Sequence, residues 1–363
     1  MEGDGYKMDG SQNKTPPLTE GKGASVTISD VAAHAGVSIK TVSRVLNGEP
    51  NVRPDKRARV TAAVEALSYR PNASARSLAA GRSFLIGMFY ENPNIHYVGS
   101  LQHGALTRCS RLGYHLVVEE CETASPEGAR RVGELARATR LDGAILSPPV
   151  SDCPHILQAL QAAGVPMVRI APLTDTDSVP TVAIDDRQAA VDLTNHVIGL
   201  GHRRIAFIAG DPAHRASIDR EAGFRAAMRA AGLPLADGMV QGADFSFTTG
   251  RTAAERLLTM AVRPTAIFAA NDDMAAAVYA TATRLGLSIP RDLSVVGFDD
   301  TPMASCLWPQ LTTVAQPIAE IAENAVDLIA RVKARTLQRA DMHVRLGYRL
   351  VLRNSTAPPA MGR

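Results

Sequence analysis

The chain has 363 residues, which is too long for one ordinary hydrophobic core, so two or three domains are expected. Its apolar content of 45% is that of a globular protein, and neither the apolar core of a signal peptide nor a run of 18 apolar residues occurs. Four cysteines without a CxxC pair disfavour a zinc site or a disulfide scaffold and predict a cytoplasmic protein.

Charge is distributed unevenly along the chain. Residues 1–25, rich in Gly, Ser, Thr and Pro, are predicted to be a disordered tail. Residues 26–82 contain nine Lys and Arg against four Asp and Glu, a local charge of +5, whereas the whole chain carries +3. A positive field concentrated in one segment predicts that this segment binds a polyanion such as DNA.

Three short helices are predicted within residues 26–71. Thr27 can cap the first helix in a capping-box pattern with Asp30, and Gly36 permits a tight turn after it. Ser38 can then cap a second helix, and a third begins near Pro54. Two helices around such a turn form a helix-turn-helix, whose second helix fits the major groove of DNA.

The second helix is predicted to turn Val42, Val45 and Leu46 inward. Its outward positions are Ile39, Lys40, Thr41, Ser43 and Arg44. Lysine and arginine can donate to guanine O6 and N7, whereas isoleucine offers only apolar contact, for instance to a thymine methyl group. For Lys40 a phosphate contact is the alternative interpretation, and Thr41, Ser43 and Asn47 are interpreted as phosphate ligands or caps.

The sequence TVSRVLN (41–47), followed by YRPN (69–72) and SLA (77–79), closely resembles the headpiece of the LacI/GalR family of bacterial transcription regulators. The resemblance implies that Ile39, Lys40 and Arg44 occupy base-reading positions. The other residues predicted to bind DNA in the headpiece are the caps Thr27 and Ser38 and the polar residues Thr41, Ser43 and Asn47. The predicted headpiece spans residues 26–71.

A hinge is predicted over residues 72–82. A helix of about eight residues is too short to be stable alone in water. The resemblance implies that this helix folds only on DNA, pairs with its dimer mate and enters the minor groove. Leu78 would insert between base steps, accompanied by Asn72, Ala75 and Arg76. A plain linker is the alternative interpretation.

From Ser83 onward, apolar strand-like runs such as RIAFIAG (204–210) and SVVGFDD (294–300) alternate with helical stretches, which predicts parallel sheets covered on both faces. The resemblance implies an α/β body of two doubly wound subdomains of the periplasmic-binding-protein type I, at residues 83–355. The first would hold 83–182 and 314–340, the second 183–313 and 341–355, followed by a tail at 356–363.

Candidate effector residues follow the strands of this body. The resemblance aligns Arg220, Phe245, Asn271 and Asp299 with effector-contacting positions, and Tyr97 and Glu91 would close the pocket from the other subdomain. Their side chains suit a polyol, because arginine donates to neighbouring hydroxyls and aspartate accepts from them. Asn271 or Asp299 alone could instead be a strand-end turn residue, and the loop NPNIHY (92–97) departs from the family pattern.

The sequence thus predicts a cytoplasmic, dimeric regulator, usually a repressor, that binds a near-palindromic operator and responds to a small effector such as a sugar or glycoside. The alternatives are a sugar-binding protein without a role on DNA, and a repressor with a nucleobase-like corepressor. An enzyme of a doubly wound fold is disfavoured, since GxGxxG, GxxxxGK[ST], GxSxG and HExxH do not occur. No catalytic residue, metal or cofactor is expected.

Overall fold

The computed structural model describes residues 26–46, 51–69, 82–174 and 177–360. Its chain divides into two units, one ending at Ala80 and one beginning at Gly81. Within the described residues, no helix is both long and apolar enough to cross a membrane. Some predicted DNA contacts lie outside the described residues and stay predictions: Asn47, Asn72, Ala75, Arg76 and Leu78.

The first unit contains three helices, and their ends form as their capping residues dictate. The helices are α1 (Ile28–Ala35), α2 (Ile39–Leu46) and α3 (Pro54–Ala66). The predicted capping box is confirmed, because Asp30 N donates to Thr27 Oγ1 at 3.4 Å and Thr27 N donates to Asp30 Oδ2 at 2.8 Å. Thr41 N donates to Ser38 Oγ at 3.2 Å, which caps α2.

A small apolar core holds these helices together. Val31, Val42 and Val60, one from each helix, are completely buried. The guanidinium of Arg59 on α3 donates to the carbonyl oxygen of Gly36 at 2.8 Å, in the turn between α1 and α2. The turn and the orientation of α2 are therefore fixed by both packing and a hydrogen bond.

The second unit contains two parallel sheets. The strands are β1 (Leu85–Tyr90), β2 (His115–Glu120), β3 (Gly143–Leu146), β4 (Met167–Ile170), β5 (Thr181–Ala183), β6 (Ile205–Ala209), β7 (Val240–Gly242), β8 (Ala266–Ala269), β9 (Ser294–Val296), β10 (Thr313–Ala315), β11 (His343–Arg345) and β12 (Arg349–Val351). The first sheet has the strand order β11-β5-β4-β3-β1-β2 and the second has the order β7-β6-β8-β9.

Helices cover both faces of each sheet, as the apolar strands predict. In β1, Ile86 and Met88 face one helix layer and Phe89 faces the other. In the second sheet, the ring of Phe207 lies 5.1 Å from that of Phe224 and 5.0 Å from that of Phe268. The helices are α4 (Ile95–Leu112), α5 (Pro126–Thr139), α6 (Pro154–Ala162), α7 (Asp186–Gly199), α8 (Arg215–Ala230), α9 (Phe247–Leu258), α10 (Asp272–Arg284), α11 (Pro302–Cys306) and α12 (Ile318–Ala334).

The assignment of residues 341–355 to the second subdomain is wrong at its beginning. Strand β11 pairs in parallel with β5 and so belongs to the first sheet. Only afterwards does the chain cross, and β12 pairs antiparallel with β10 beside the second sheet. The reason is that β11 pairs with β5 at the edge of the first sheet. This pairing begins where Thr181 N donates to Met342 O at 2.8 Å.

The end of the described chain packs against the second subdomain, so the boundary of the predicted tail at residue 356 is also corrected. His202 is 1% exposed, and its Nε2 lies 2.9 Å from the carbonyl oxygen of Ala357. A carbonyl can only accept, so Nε2 carries the proton and Nδ1 accepts from Thr265 Oγ1 at 2.9 Å. Burial lowers the pKa of His202, which favours this neutral form.

We expect His202→Ala to lower the free energy of unfolding by about 1–3 kcal/mol, because it leaves buried polar groups without partners. The neighbouring Arg203 is exposed and supplies the matched control. Arg203→Ala should change stability by no more than about 0.5 kcal/mol. Urea denaturation followed by circular dichroism measures both, and equal effects would show that His202 does not hold the C-terminal segment.

Candidate functional site

One exposed surface of the first unit is formed by α2. Val42 is completely buried, and this anchors the helix. On the opposite side Ile39 is 49% exposed and Lys40 is exposed, whereas Thr41 and Ser43 are partly buried. An apolar and a cationic side chain thus stand next to each other at the first turn of α2, where a recognition helix contacts base edges.

Arg44 lies one turn further along α2. One of its guanidinium nitrogens, Nη2, donates to the carbonyl oxygen of Asn51 at 3.3 Å. Asn51 precedes α3, whose first residue is Pro54 and whose cap position, Arg53, forms no side-chain cap bond. The guanidinium of Arg44 is therefore oriented by the segment that leads into α3.

A cavity of about 40 Å³ lies between the two subdomains of the second unit, at the carboxyl ends of strands of both sheets. Five of the predicted effector residues line it: Tyr97, Arg220, Phe245, Asn271 and Asp299. Five further polar residues that were not predicted also line it: Asn92, Asn94, Asp186, His214 and Gln316.

Arg220 is the central cation of this cavity and is only 4% exposed. Its Nε donates to Asp186 Oδ1 at 2.8 Å, and its Nη1 donates to the carbonyl oxygen of Ala270 at 2.6 Å. Nη1 also lies 3.5 Å from Asp299 Oδ1, and the guanidinium stacks 3.6 Å from the centre of the Phe298 ring. The side chain is thereby held in one orientation while it lines the cavity.

The carboxylate of Asp299 accepts hydrogen bonds from several parts of the fold. Gln316, which lies where the chain crosses back to the first subdomain, donates to Oδ1 at 2.6 Å. Asn94 of the first subdomain donates to Oδ2 at 3.5 Å. The backbone of Asp299 has a φ of 112°, a left-handed conformation that strains a residue with a side chain.

Burial raises the pKa of Asp299 to about 7, although Arg220 opposes this shift. Two more buried carboxyls lie nearby. Burial also raises the pKa of Asp186, again against the effect of Arg220. Asp272 is completely buried, and burial together with the charge of Asp299 raises its pKa, while Thr301 and Thr313 donate to its oxygens.

Phe245 and Asn271 form the wall of the cavity beside Arg220. Asn271 caps α10 by accepting from Met274 N at 2.9 Å, and its Nδ2 donates to the carbonyl oxygen of Phe245 at 2.9 Å. Phe245 has a φ of 71°, and its ring fills the space where a Cβ on Gly210 would come within 2.1 Å. The strand-end interpretation of Asn271 is therefore correct as a structural role, and its side chain also lines the cavity.

His214 and Tyr97 complete the polar lining. The His214 ring is 6% exposed and lies 5.3 Å from the Phe245 ring, and its nitrogens have no partner among the described residues. Burial lowers the pKa of His214 and raises that of Tyr97. Asp186 and His214 were not predicted, and the acidic pair Asp185 and Asp186 after the apolar run TVAI (181–184) is the one pattern that could have indicated Asp186.

Glu91 does not line this cavity, so its prediction as an effector residue is corrected. Its carboxylate accepts from Thr123 N at 2.9 Å and from Thr123 Oγ1 at 2.5 Å. It lies in a separate acidic recess that also contains Glu119, Glu120 and Glu122. The reason is that β1 ends at Tyr90, and the loop after it turns Glu91 toward the loop after β2.

Two family models match the chain. Residues 27–72 match bacterial regulatory proteins of the lacI family, and residues 194–356 match a periplasmic binding protein-like domain. These ranges correspond to the helix-turn-helix segment and to most of the second subdomain. The first match includes α1, α2 and α3, and the second includes Arg220 and Asp299.

Relatives match over nearly the whole chain. Catabolite control protein A of Priestia megaterium is 33% identical over 335 residues, which is 92% of this chain and 99% of the relative. The ribose operon repressor of Escherichia coli K12 is 37% identical, over 86% of this chain and 95% of that one. A structure of the lac repressor dimer bound to operator and the anti-inducer ONPF is 29% identical, with a TM-score of 0.74, over 92% and 100% of the two chains. The chain therefore belongs to the LacI family of bacterial regulatory proteins and is a DNA-binding transcriptional repressor of that family.

Proposed function

We propose that this repressor binds a near-palindromic operator as a homodimer and that a small hydroxyl-bearing effector, such as a sugar or glycoside, regulates it from the cavity around Arg220. The observation that carries the proposal is the convergence of Tyr97, Arg220, Phe245 and Asp299, predicted from separate parts of the sequence, on one cavity. The ribose operon repressor is a relative whose name points to a sugar.

DNA recognition is assigned to the exposed face of α2. Lys40 can donate to guanine, and Ile39 can contact a thymine methyl group in the major groove. Thr27, Ser38, Thr41 and Ser43 would contribute phosphate contacts or orient the helix ends. A single α2 reads only a half-site, which is why a second copy of the chain is needed for a near-palindromic operator.

The effector chemistry follows from the cavity walls. Asp299 and Asp186 offer carboxylate oxygens to hydroxyl groups, and the guanidinium of Arg220 offers a donor. The ring of Phe245 supplies an apolar surface on which the carbon face of a sugar can pack. This mixture of charged acceptors and one aromatic wall fits a ring that carries several hydroxyls.

The size of the cavity links binding to conformation. The space of about 40 Å³ between the subdomains is small for a sugar, so we propose that the cleft opens wider when one binds. Separation breaks contacts that cross the cleft, such as Asn94 to Asp299 and Arg215 Nη1 to Leu173 O at 3.2 Å. An effector that favours one orientation of the subdomains thereby changes the population that is competent to bind DNA.

The proposal is tested with an operator selected from a random-sequence duplex library. Fluorescence anisotropy should show specific binding that weakens steeply with salt, because phosphate contacts release counterions. Addition of the effector should change the operator affinity. Salt-insensitive binding, or operator affinity that no ligand of the cavity changes, would contradict the proposal.

Lys40→Ala should weaken binding to the selected operator by about 1–3 kcal/mol and binding to random DNA by less, because a base contact is lost. Arg130→Ala is the control. Arg130 is a surface cation of the second unit, paired with Glu127 and Glu134, and its removal should leave both affinities unchanged. Equal losses on both DNAs would make Lys40 a phosphate contact.

Arg220→Ala should lower the free energy of unfolding by about 3–5 kcal/mol, since it leaves buried carboxyls without their cation. Arg225→Ala removes a partly exposed ion pair with Glu221 on the same helix and should cost at most about 1 kcal/mol. Urea titration at pH 8 compares the two. Similar small losses would show that the carboxyls are protonated and that the ion pairs contribute little.

A further inference from the structure

We propose that the cavity selects uncharged, hydroxyl-bearing effectors against their phosphate esters, and that binding of such an effector expels one proton from a buried cluster of carboxyls. The cluster consists of Asp186, Asp272 and Asp299. This inference rests on the effector role proposed above and adds the charge of the effector and its coupling to pH.

The charges in and behind the cavity do not balance. Asp186, Asp272 and Asp299 are 6%, 0% and 5% exposed. Among the described residues that line the cavity, Arg220 is the one guanidinium, and there is no lysine. Three ionised carboxyls would give a buried net charge of two negative units, which an apolar environment strongly disfavours. The cluster therefore has reason to hold a proton.

His214 does not correct this imbalance. It is buried beside Phe245, and burial lowers its pKa, so its imidazole is neutral near pH 7. A neutral ring whose nitrogens have no partner among the described residues can exchange hydrogen bonds with a hydroxyl group. It adds no positive charge that could attract a phosphate.

The groups that face Asp299 come from every element around it. Arg220 approaches from α8, Asp186 from α7, and Asp272 and Asp273 from α10. Gln316 donates from the crossing segment and Asn94 donates from the start of α4, while the charge of Asp299 helps raise the pKa of Tyr97 on the same helix. His214 lines the same cavity. On the cavity side Arg220 is the one guanidinium among the described residues, and on the other side Arg349 shares a recess with Asp299 and lies 3.6 Å from the neighbouring Asp300.

The proton transfer follows from hydrogen-bond chemistry. Burial raises the pKa of Asp299 to about 7, so the neutral acid and the carboxylate are both populated near neutral pH. A ligand hydroxyl that donates to this group needs an acceptor, so binding favours the carboxylate. The carboxyl proton leaves to solvent, and the ligand keeps its own. A phosphate ester would place further negative charge beside the carboxylates, which disfavours its binding.

Calorimetry with full-length protein tests this inference, using ribose with ribose 5-phosphate and glucose with glucose 6-phosphate. We expect one of the uncharged sugars to bind about tenfold more tightly at pH 8 than at pH 6, because the ionised fraction of Asp299 rises by that factor. Repeating the titration in buffers of different ionisation enthalpy should show proton release. The phosphate ester should bind at least about tenfold more weakly than its parent sugar at pH 8.

Two substitutions separate titration of Asp299 from a structural role. Asp299→Asn should abolish the pH dependence between pH 6 and pH 8, whereas a purely structural loss would lower affinity equally at both. Asp327→Asn, which removes a surface carboxylate paired with Arg108, should keep the wild-type pH profile. Tighter binding of a phosphate ester would overturn the charge selection alone. Failure of all four compounds to bind would overturn both this inference and the proposed sugar effector.

Discussion

The ion cluster around Arg220 is the constraint on which the rest of the regulatory half depends. One guanidinium, stacked on Phe298, holds Asp186 at 2.8 Å and lies 3.5 Å from Asp299. Desolvating charges is costly unless they are paired, so α7, α8 and the segment after β9 must come together for the buried carboxyls to be tolerated. The same requirement creates a polar cavity inside an otherwise apolar layer.

Asp299 extends this cluster to the connection between the subdomains. Its backbone nitrogen donates to Val314 O at 2.8 Å, and its side chain accepts from Gln316 in the crossing segment. The next residue, Asp300, accepts a hydrogen bond of 2.6 Å from the guanidinium of Arg353. Arg353 lies just after β12, the strand that follows the last crossing between the subdomains. A ligand that changes the partners of Asp299 therefore acts where the two subdomains are joined, which is where a change in their orientation begins.

Local sequence patterns predicted more of the fold than of the effector cavity. The capping box of Thr27, the turn at Gly36 and the alternation of apolar strands with helices depend on neighbouring residues, and the structure has them as predicted. Asp186 and His214 join the cavity only through tertiary packing, so spacing along the chain gave no reason to choose them. Glu91 was misplaced because the direction of its loop depends on Thr123, 32 residues away. Strand β11 was misassigned because a three-residue edge strand carries almost no periodic signal.

The central claim is that the cavity and the DNA-binding surface are thermodynamically linked, and linkage is reciprocal. The most direct test is to measure the effector's dissociation constant twice, with free protein and with protein saturated with operator DNA. The account predicts that the two constants differ by at least about fivefold, and that saturating effector shifts operator affinity by the same factor. Equal effector affinity in the two states would contradict it.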